Sequence, residues 1–251
     1  IAEAVEGAMA LSAGGTGAAR RARALDVLCE ADEGERVAWE VVRDGERLEV
    51  ETGVVVDAPA PYGVRVLESG VRVVRVGEAY GDELIKDMEA LAGARGVVID
   101  ARNADGGVAR ALGWIVTGVY LAAPEWSATL LLPEWNGVRW RDETGEIGPK
   151  GTRMGGAVAL LVDERTVGAA EVAAVVMKGL NLGDVVGVRT GGSAGRVVDA
   201  RLPGGMWLRF TGTMARLYDG SAVNGVGVEP TVVVERTAEG LRAGRDEALE
   251  R

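Results

Sequence analysis

Histidine is absent from the 251 residues of this chain, and cysteine occurs once, at Cys29. Without histidine the chain cannot supply the usual general base of a Ser-His-Asp triad or the commonest zinc ligand. A lone cysteine forms no intrachain disulfide and excludes metal sites built from several thiolates. We therefore expect neither a metal site nor a cofactor, and any general base would have to be another kind of side chain.

Positive charge is also scarce, because 28 basic residues face 38 acidic ones and the net charge is -10. A surplus of negative charge repels phosphate backbones, which argues against a nucleic-acid partner. No apolar run approaches the roughly 20 residues that cross a bilayer, so no membrane span is expected. The residues after Ile1 lack the basic-then-apolar pattern of a signal peptide.

The first part of the chain, residues 1–57, has a pattern of its own. Apolar residues at helical spacing predict helices over 2–12 and 16–31, separated at Gly14 and Gly15. Strands are predicted over 37–42 and 48–56, with Asp44-Gly45 as the hairpin turn. A proline-containing stretch, 58–70, is interpreted as a linker to a core over 71–251.

Strands alternate with helices in the core, which predicts an α/β fold. Strands are expected over 71–76, 96–100, 157–163 and 184–188, and helices over 82–91, 108–120 and 169–180. The continuous apolar runs 96–100 and 157–163 have the composition of central strands covered on both faces. Residues 134–156 are predicted to form a loop, and a β-rich tail is expected after 188. A functional site is expected where the central strands end, since ligands bind at the carboxyl edge of such sheets.

The segment GGTGAA (14–19) superficially matches a dinucleotide-binding fingerprint. That fingerprint requires a preceding β-strand, whereas the residues before Gly14 have helical periodicity. A helix-breaking turn is therefore favoured over a cofactor site.

The segment GVVIDARNADGG (96–107) is more informative, because a buried strand runs directly into Asp100, Arg102 and the pair Gly106-Gly107. Paired glycines let the backbone approach a ligand, and amide groups before a helix can bind an oxyanion. The other interpretation is a tight turn in which Asp100 and Arg102 pair for structural reasons. The spacing alone does not choose between the two.

Four blocks in order along the chain resemble the C-terminal-processing serine peptidases, the family of the tail-specific and tricorn-like proteases. The 96–107 segment resembles their D-x-R-x-N-x-G-G element, and 158–180 resembles their strand, T-x-S-A-x-E turn and helix. VVGVRTGGSAG (185–195) resembles V-G-x-x-T-x-G, and NGVGVEPTVVV (224–234) resembles the closing G-V-x-P-D strand. Residues 1–56 resemble the second half of the PDZ-like domain that many members carry.

The resemblance implies which positions should carry the catalytic groups, and at those positions this chain has different residues. Gly168 matches the serine nucleophile, and Ser193 matches the lysine base of the Ser-Lys branch. Val223 is the nearest match to the acidic residue that assists the tricorn-like branch, and Thr231 replaces the aspartate of P-D. Glycine has no nucleophilic atom, so the covalent step is not available at that position.

Other parts of the implied site are retained. Backbone N–H groups of Gly106, Gly107 and Ala169 could form an oxyanion hole, because amide donors do not depend on the side chain. Glu171 keeps the family's acid, although a carboxylate in a first helical turn is also favoured by the helix dipole.

Thr166 and Ser193 are alternative candidates for a nucleophile near this site. An unassisted hydroxyl is weak at neutral pH, and neither has a lysine or histidine nearby in sequence to activate it. The chain has three lysines, Lys86, Lys150 and Lys178, of which Lys178 is interpreted as a solvated charge on the helix after Glu171.

We therefore expect an α/β, crotonase- or ClpP-like spiral ββα core with a partial PDZ-like N-terminal section. By resemblance, it would engage peptides or protein C-terminal segments outside the cytoplasm without cutting them, as a pseudopeptidase or a nucleophile-substituted form. The alternatives are a scaffolding module that binds a chain end by strand addition, and an enzyme using the oxyanion hole for acyl-transfer or lyase chemistry. Self-association is left open.

Overall fold

The computed structural model describes most of the chain, namely residues 2–12, 14–29, 35–43, 45–53, 63–75, 91, 94–103, 126–134, 137–145, 156–195, 197–211, 213–217 and 219–251. The predicted helix over 108–120 and all but the last residue of the one over 82–91 lie outside these ranges. Among the described helices, none is both long and apolar enough to cross a bilayer.

The N-terminal section forms the two helices and the hairpin that its sequence predicts. Helix α1 is Ala2–Leu11 and helix α2 is Gly17–Leu28. Thr16 caps α2, because its Oγ1 accepts the Ala19 N–H at 3.1 Å and satisfies a donor that the helix start leaves open. Strands β1 (Arg36–Arg43) and β2 (Glu46–Gly53) pair antiparallel. GGTGAA thus comprises the end of the turn between the two helices and the first three residues of α2.

A six-stranded mixed sheet forms the core and confirms the α/β prediction. Its strands are β3 (Gly63–Val66), β4 (Arg72–Arg75), β5 (Gly96–Asp100), β8 (Ala157–Val162), β9 (Asp184–Gly187) and β13 (Val232–Val233), in the spatial order β13-β9-β8-β5-β4-β3. All neighbours are parallel except β3 and β4. Strand β3 lies inside the stretch interpreted as a linker, so the sheet begins before residue 71.

Both faces of the sheet are covered, as the continuous apolar runs predict. On one face, Ile99 and Leu160 are fully buried against helix α3 (Gly168–Gly179), whose inward side carries small residues and Met177. On the other face, Leu161 and Val186 pack against the C-terminal helix that contains Ala248. Packing on both faces therefore holds the central strands in place. The carboxyl ends of these strands in turn position the first residues of the loops that follow them.

The prediction of a loop over 134–156 was wrong for its first part. Strand β7 (Gly137–Gly145) pairs antiparallel with β6 (Trp126–Glu134), with Glu134 opposite Gly137, and β12 (Thr213–Ala215) joins them in a three-stranded sheet. Four of the nine residues in 137–145 are charged, and the cross-strand pairing that outweighs this composition cannot be read from one segment.

The tail is β-rich as predicted, but it ends in helices that the sequence did not indicate. Strands β10 (Val197–Arg201) and β11 (Trp207–Thr211) form a separate hairpin around a 3-10 turn, Pro203–Gly205. Helices α4 (Ala238–Arg242) and α5 (Glu247–Glu250) then close the described chain. Helices this short have little periodicity to detect.

Candidate functional site

Two loops at the carboxyl edge of the sheet meet side by side. One joins β8 to α3, and the other, residues 188–195, comes after β9. The Gly191 N–H donates to the Thr166 carbonyl at 2.9 Å, and the Gly168 N–H donates to the Ser193 carbonyl at 3.3 Å. The positions matched to the nucleophile and the base are therefore direct hydrogen-bonded neighbours.

Gly168 begins helix α3 with a φ of +60°, in the left-handed region that favours glycine. Among the described residues, no atom lies within 4 Å of a Cβ placed on Gly168. Ala169 comes next in the first turn, where backbone N–H groups have no intrahelical acceptor. The Gly168 N–H is itself engaged by the Ser193 carbonyl, and the residue carries no nucleophilic side chain.

Ser193 is half-buried, and its hydroxyl is engaged by the N-terminal section. Its Oγ accepts the Gly15 N–H at 3.2 Å. The position that the resemblance matches to the base thus carries a hydroxyl that accepts a hydrogen bond from a distant part of the chain.

Glu171 is completely buried under the second loop. Its Oε1 accepts the Gly192 N–H at 2.7 Å, and its Oε2 accepts the Ser193 N–H at 2.8 Å. Burial raises the pKa of this carboxyl, and the hydrogen bonds from Thr190 and the loop amides counteract part of that effect. These contacts make the carboxylate a support of the neighbouring loop, and a direct role toward a substrate stays a prediction.

Thr190, for which no role was predicted, completes this arrangement. Its hydroxyl donates to Glu171 Oε1 and accepts the Val228 N–H at 2.7 Å. The side chain is fully buried, so both contacts are shielded from water. Its place in the V-G-x-x-T block was the available signal, but nothing in that block shows that the threonine faces the carboxylate.

Val223 and Thr231, the two departures near the end of the core, have structural contacts. Val223 is fully buried in the apolar core. Thr231 Oγ1 accepts the Val185 N–H at 2.9 Å and lies 3.1 Å from Asp184 Oδ1. Thr231 therefore ties β13 to the start of β9, at the edge of the sheet opposite to the two loops.

Asp100 and Arg102 form a structural ion pair, one of the two interpretations of the 96–107 segment. The Arg102 guanidinium donates to both Asp100 oxygens at 2.8 Å and to both Asp246 oxygens at 2.8 and 2.7 Å. Burial raises the pKa of Asp100, but the bonds and charge of Arg102 outweigh it, and the pKa lies below its ordinary value. The glycine pair Gly106-Gly107 lies outside the described residues, so its oxyanion role stays a prediction.

Thr166 is not placed to act as a nucleophile. It is fully buried, and its Oγ1 accepts the Asp163 N–H at 2.9 Å and lies 3.1 Å from the Ala101 carbonyl. Lys178 is exposed at the far end of α3, where its Nζ donates to the Glu229 carbonyl at 3.0 Å. Lys178 is therefore about a full helix length from Gly168, and Lys86 and Lys150 fall outside the described ranges.

The strand-to-helix turn at Gly168 and the glycine-rich loop held by Glu171 lie side by side at the carboxyl edge of the α/β sheet. Residues 71–234 match the family model described as Peptidase family S41. The match covers more than half of the chain, and the chain therefore belongs to peptidase family S41. No protein of curated function matches the chain by sequence.

Solved structures share this fold at low sequence identity. A protein of Parabacteroides merdae described as a peptidase is 21% identical with a TM-score of 0.62, over 78% of this chain and 64% of its own. Mature CPAF, solved with lactacystin, is 15% identical with a TM-score of 0.66, over 90% of this chain and 69% of its own. The tricorn protease is 16% identical with a TM-score of 0.51, over 73% of this chain and 17% of its own. The chain thus spans about two thirds of the length of the first two.

Proposed function

We propose that this chain engages extended peptide segments, protein C-terminal ends included, without hydrolysing them. The family acts on peptides, and the two-loop site sits at the sheet edge where a ligand is expected. The observation that carries the proposal is Gly168: the position matched to the nucleophile begins a helix at the site and has no atom of the described residues within 4 Å of a Cβ placed on it, but it supplies no reactive atom.

The base position supports the same conclusion. A serine nucleophile needs a neighbouring group to take its proton. Ser193 cannot be that group, and its Oγ already accepts a hydrogen bond from Gly15. Because the chain contains no histidine, the tricorn-like arrangement also lacks its base within these residues.

The finer architectural assignments belong to this proposal as well. We take the core as a crotonase- or ClpP-like spiral, and residues 1–57 as part of a PDZ-like domain. The helices and hairpin of that section are in keeping with this assignment. An extracytoplasmic location is proposed on the basis of the family resemblance.

The test compares the natural chain with Gly168→Ser and Gly168→Ala on unfolded peptides with apolar C-terminal residues. Calorimetry measures binding, and mass spectrometry measures cleavage. A side chain in the left-handed region costs roughly 1–2 kcal/mol. The serine and alanine variants carry this same strain and differ by one hydroxyl. We expect all three proteins to bind peptide and none to cleave it.

Each contrary result has a distinct meaning. Cleavage by the natural chain would show that it has another nucleophile and overturn the proposal. Cleavage by Gly168→Ser alone would show that a base is present and that one substitution silenced an otherwise complete enzyme. Failure to bind any peptide in the panel would remove the peptide function.

A further inference from the structure

The turn between α1 and α2 lies directly on the 188–195 loop. The Thr16 N–H donates to the Gly191 carbonyl at 2.9 Å, and the Gly15 N–H donates to Ser193 Oγ at 3.2 Å. A Cβ on Gly15 would stand 1.8 Å from the Gly192 carbonyl oxygen, which no side chain can tolerate. Backbone therefore packs against backbone here, as it does where two chain segments pair.

The hydrogen-bond acceptors of the 188–195 loop that bond to this turn have their donors in the N-terminal section, whereas other acceptors of the loop have donors in the core. The Gly192 carbonyl accepts from Gly225, and the Ser193 carbonyl accepts from Gly168, so the core itself satisfies both. The Gly191 carbonyl and Ser193 Oγ are satisfied by the N-terminal section instead. If the turn moved away, these two acceptors would be exposed. The loop would keep its shape, because the Glu171 carboxylate accepts the N–H groups of Gly192 and Ser193.

One exposed ion pair supports the turn from the other side. Arg165, in the loop between β8 and α3, donates to both Asp26 oxygens on helix α2 at 2.8 and 2.7 Å. Their side chains are 34% and 51% exposed. Water and salt therefore screen the attraction. Pairs of this kind contribute about 0.2–1 kcal/mol, so this pair adds little to the attachment of the turn.

We propose that the Gly191 carbonyl and Ser193 Oγ form a subsite for the N–H donors of a bound peptide backbone, and that residues 14–16 occupy it in the free protein. The inference rests on the proposed peptide function and gives Ser193 a role there. A peptide and the turn then compete for the same acceptors, because both cannot lie against the loop at once. Loosening the turn strengthens peptide binding, because binding no longer has to displace it.

The experiment weakens the turn in two independent ways. Asp26→Asn removes the ion pair, and Gly15→Ala creates the backbone clash without touching the ion pair. Glu40→Gln is the matched control, because it breaks an exposed pair with Arg47 on the β1–β2 hairpin, away from the turn. The readouts are the hydrogen-exchange rate of the Thr16 amide by NMR and the Kd for peptide by calorimetry.

Asp26→Asn should speed Thr16 exchange and tighten the Kd by the same factor, about two- to fivefold, as a screened pair allows. Gly15→Ala should have the larger effect on both, and Glu40→Gln should change neither. Added salt should speed Thr16 exchange in the natural chain but not in Asp26→Asn.

Three negative results can be told apart. If the natural chain binds peptide and both turn variants bind it with unchanged Kd, the subsite is wrong while the proposed function stands. If Thr16 exchange is also unchanged, the turn does not detach at all, and the inference fails for that reason. If neither the natural chain nor any variant binds peptide, the proposed function itself fails.

Discussion

Gly168 and Glu171 lie one helical turn apart in α3, and they contribute to the site in different ways, one through its backbone and the other through its side chain. Gly168 has no atom of the described residues within 4 Å of a Cβ placed on it, and it contributes only backbone. Glu171 is fully buried and contributes its side chain, through bonds to the Gly192 and Ser193 amides. Loss of a nucleophile at the first position leaves the loop intact, whereas a change at the second should disturb it.

Glu171→Gln should destabilise the protein by roughly 2–3 kcal/mol, because the new amide group would place a donor against loop N–H groups that then lack an acceptor. Urea unfolding measures the change. Glu164→Gln is the control, since Glu164 is an acid on the adjoining loop that is only half-buried. The control should stay within about 0.5 kcal/mol of the natural chain. Equal losses in the two variants would contradict a loop-holding role for Glu171.

At the scale of elements, the C-terminal helix α5 is attached to the sheet through one arginine. Asp246 precedes this helix, accepts the Leu249 N–H at 3.3 Å and binds the Arg102 guanidinium, which also binds Asp100 at the end of β5. The side-chain hydrogen bond from Arg102 lowers the pKa of Asp246 below its ordinary value of 3.8. A lowered carboxyl pKa stabilises the fold above the ordinary value, and that stabilisation is lost as the pH falls through the folded value.

Asp246→Asn should therefore cost about 1 kcal/mol at neutral pH, a modest figure because the carboxyl is partly exposed. The difference from the natural chain should shrink as the pH falls below 3.8, where the aspartate is neutralised as well. Urea unfolding across this pH range measures it, with the exposed Glu239→Gln on α4 as a control that should show no such trend. A difference that is the same at every pH would rule out the ion pair as its source.

The whole molecule combines a sheet buried on both faces with hairpins that have little cover. Among the described strands, β1 and β2 pair only with each other, and every residue of β2 is exposed. Two strands alone are marginally stable in water. Stability should therefore be uneven along the chain.

Amide exchange should be slowest in β5 and β8, whose opening requires global unfolding, and roughly a hundredfold faster or more in β1 and β2. Hydrogen exchange followed by mass spectrometry resolves these segments. Comparable protection in the first hairpin and the central strands would show that something covers the hairpin beyond the contacts of the described residues.

Sequence periodicity predicted the described helices α1, α2 and α3 and the strands β1, β4, β5, β8 and β9 close to their bounds, because burial on one or both faces leaves a local pattern. It failed at β7, whose charged residues pair with β6, and at the two short C-terminal helices. Strand pairing and the packing of a short helix on a sheet are contacts with residues distant in sequence, so the pattern of a short sequence segment does not predict them.

The sequence by itself determined which atoms the side chains of this chain can offer: it contains no histidine, and the positions that the resemblance matches to the nucleophile and the base are a glycine and a serine. Those facts depend only on which atoms each side chain contains. Tertiary structure alone decided what the remaining residues do instead. Glu171 lies under the loop, Thr190 faces Glu171, and Ser193 meets Gly15 across 178 residues of chain, because folding brings their polar groups within hydrogen-bonding distance.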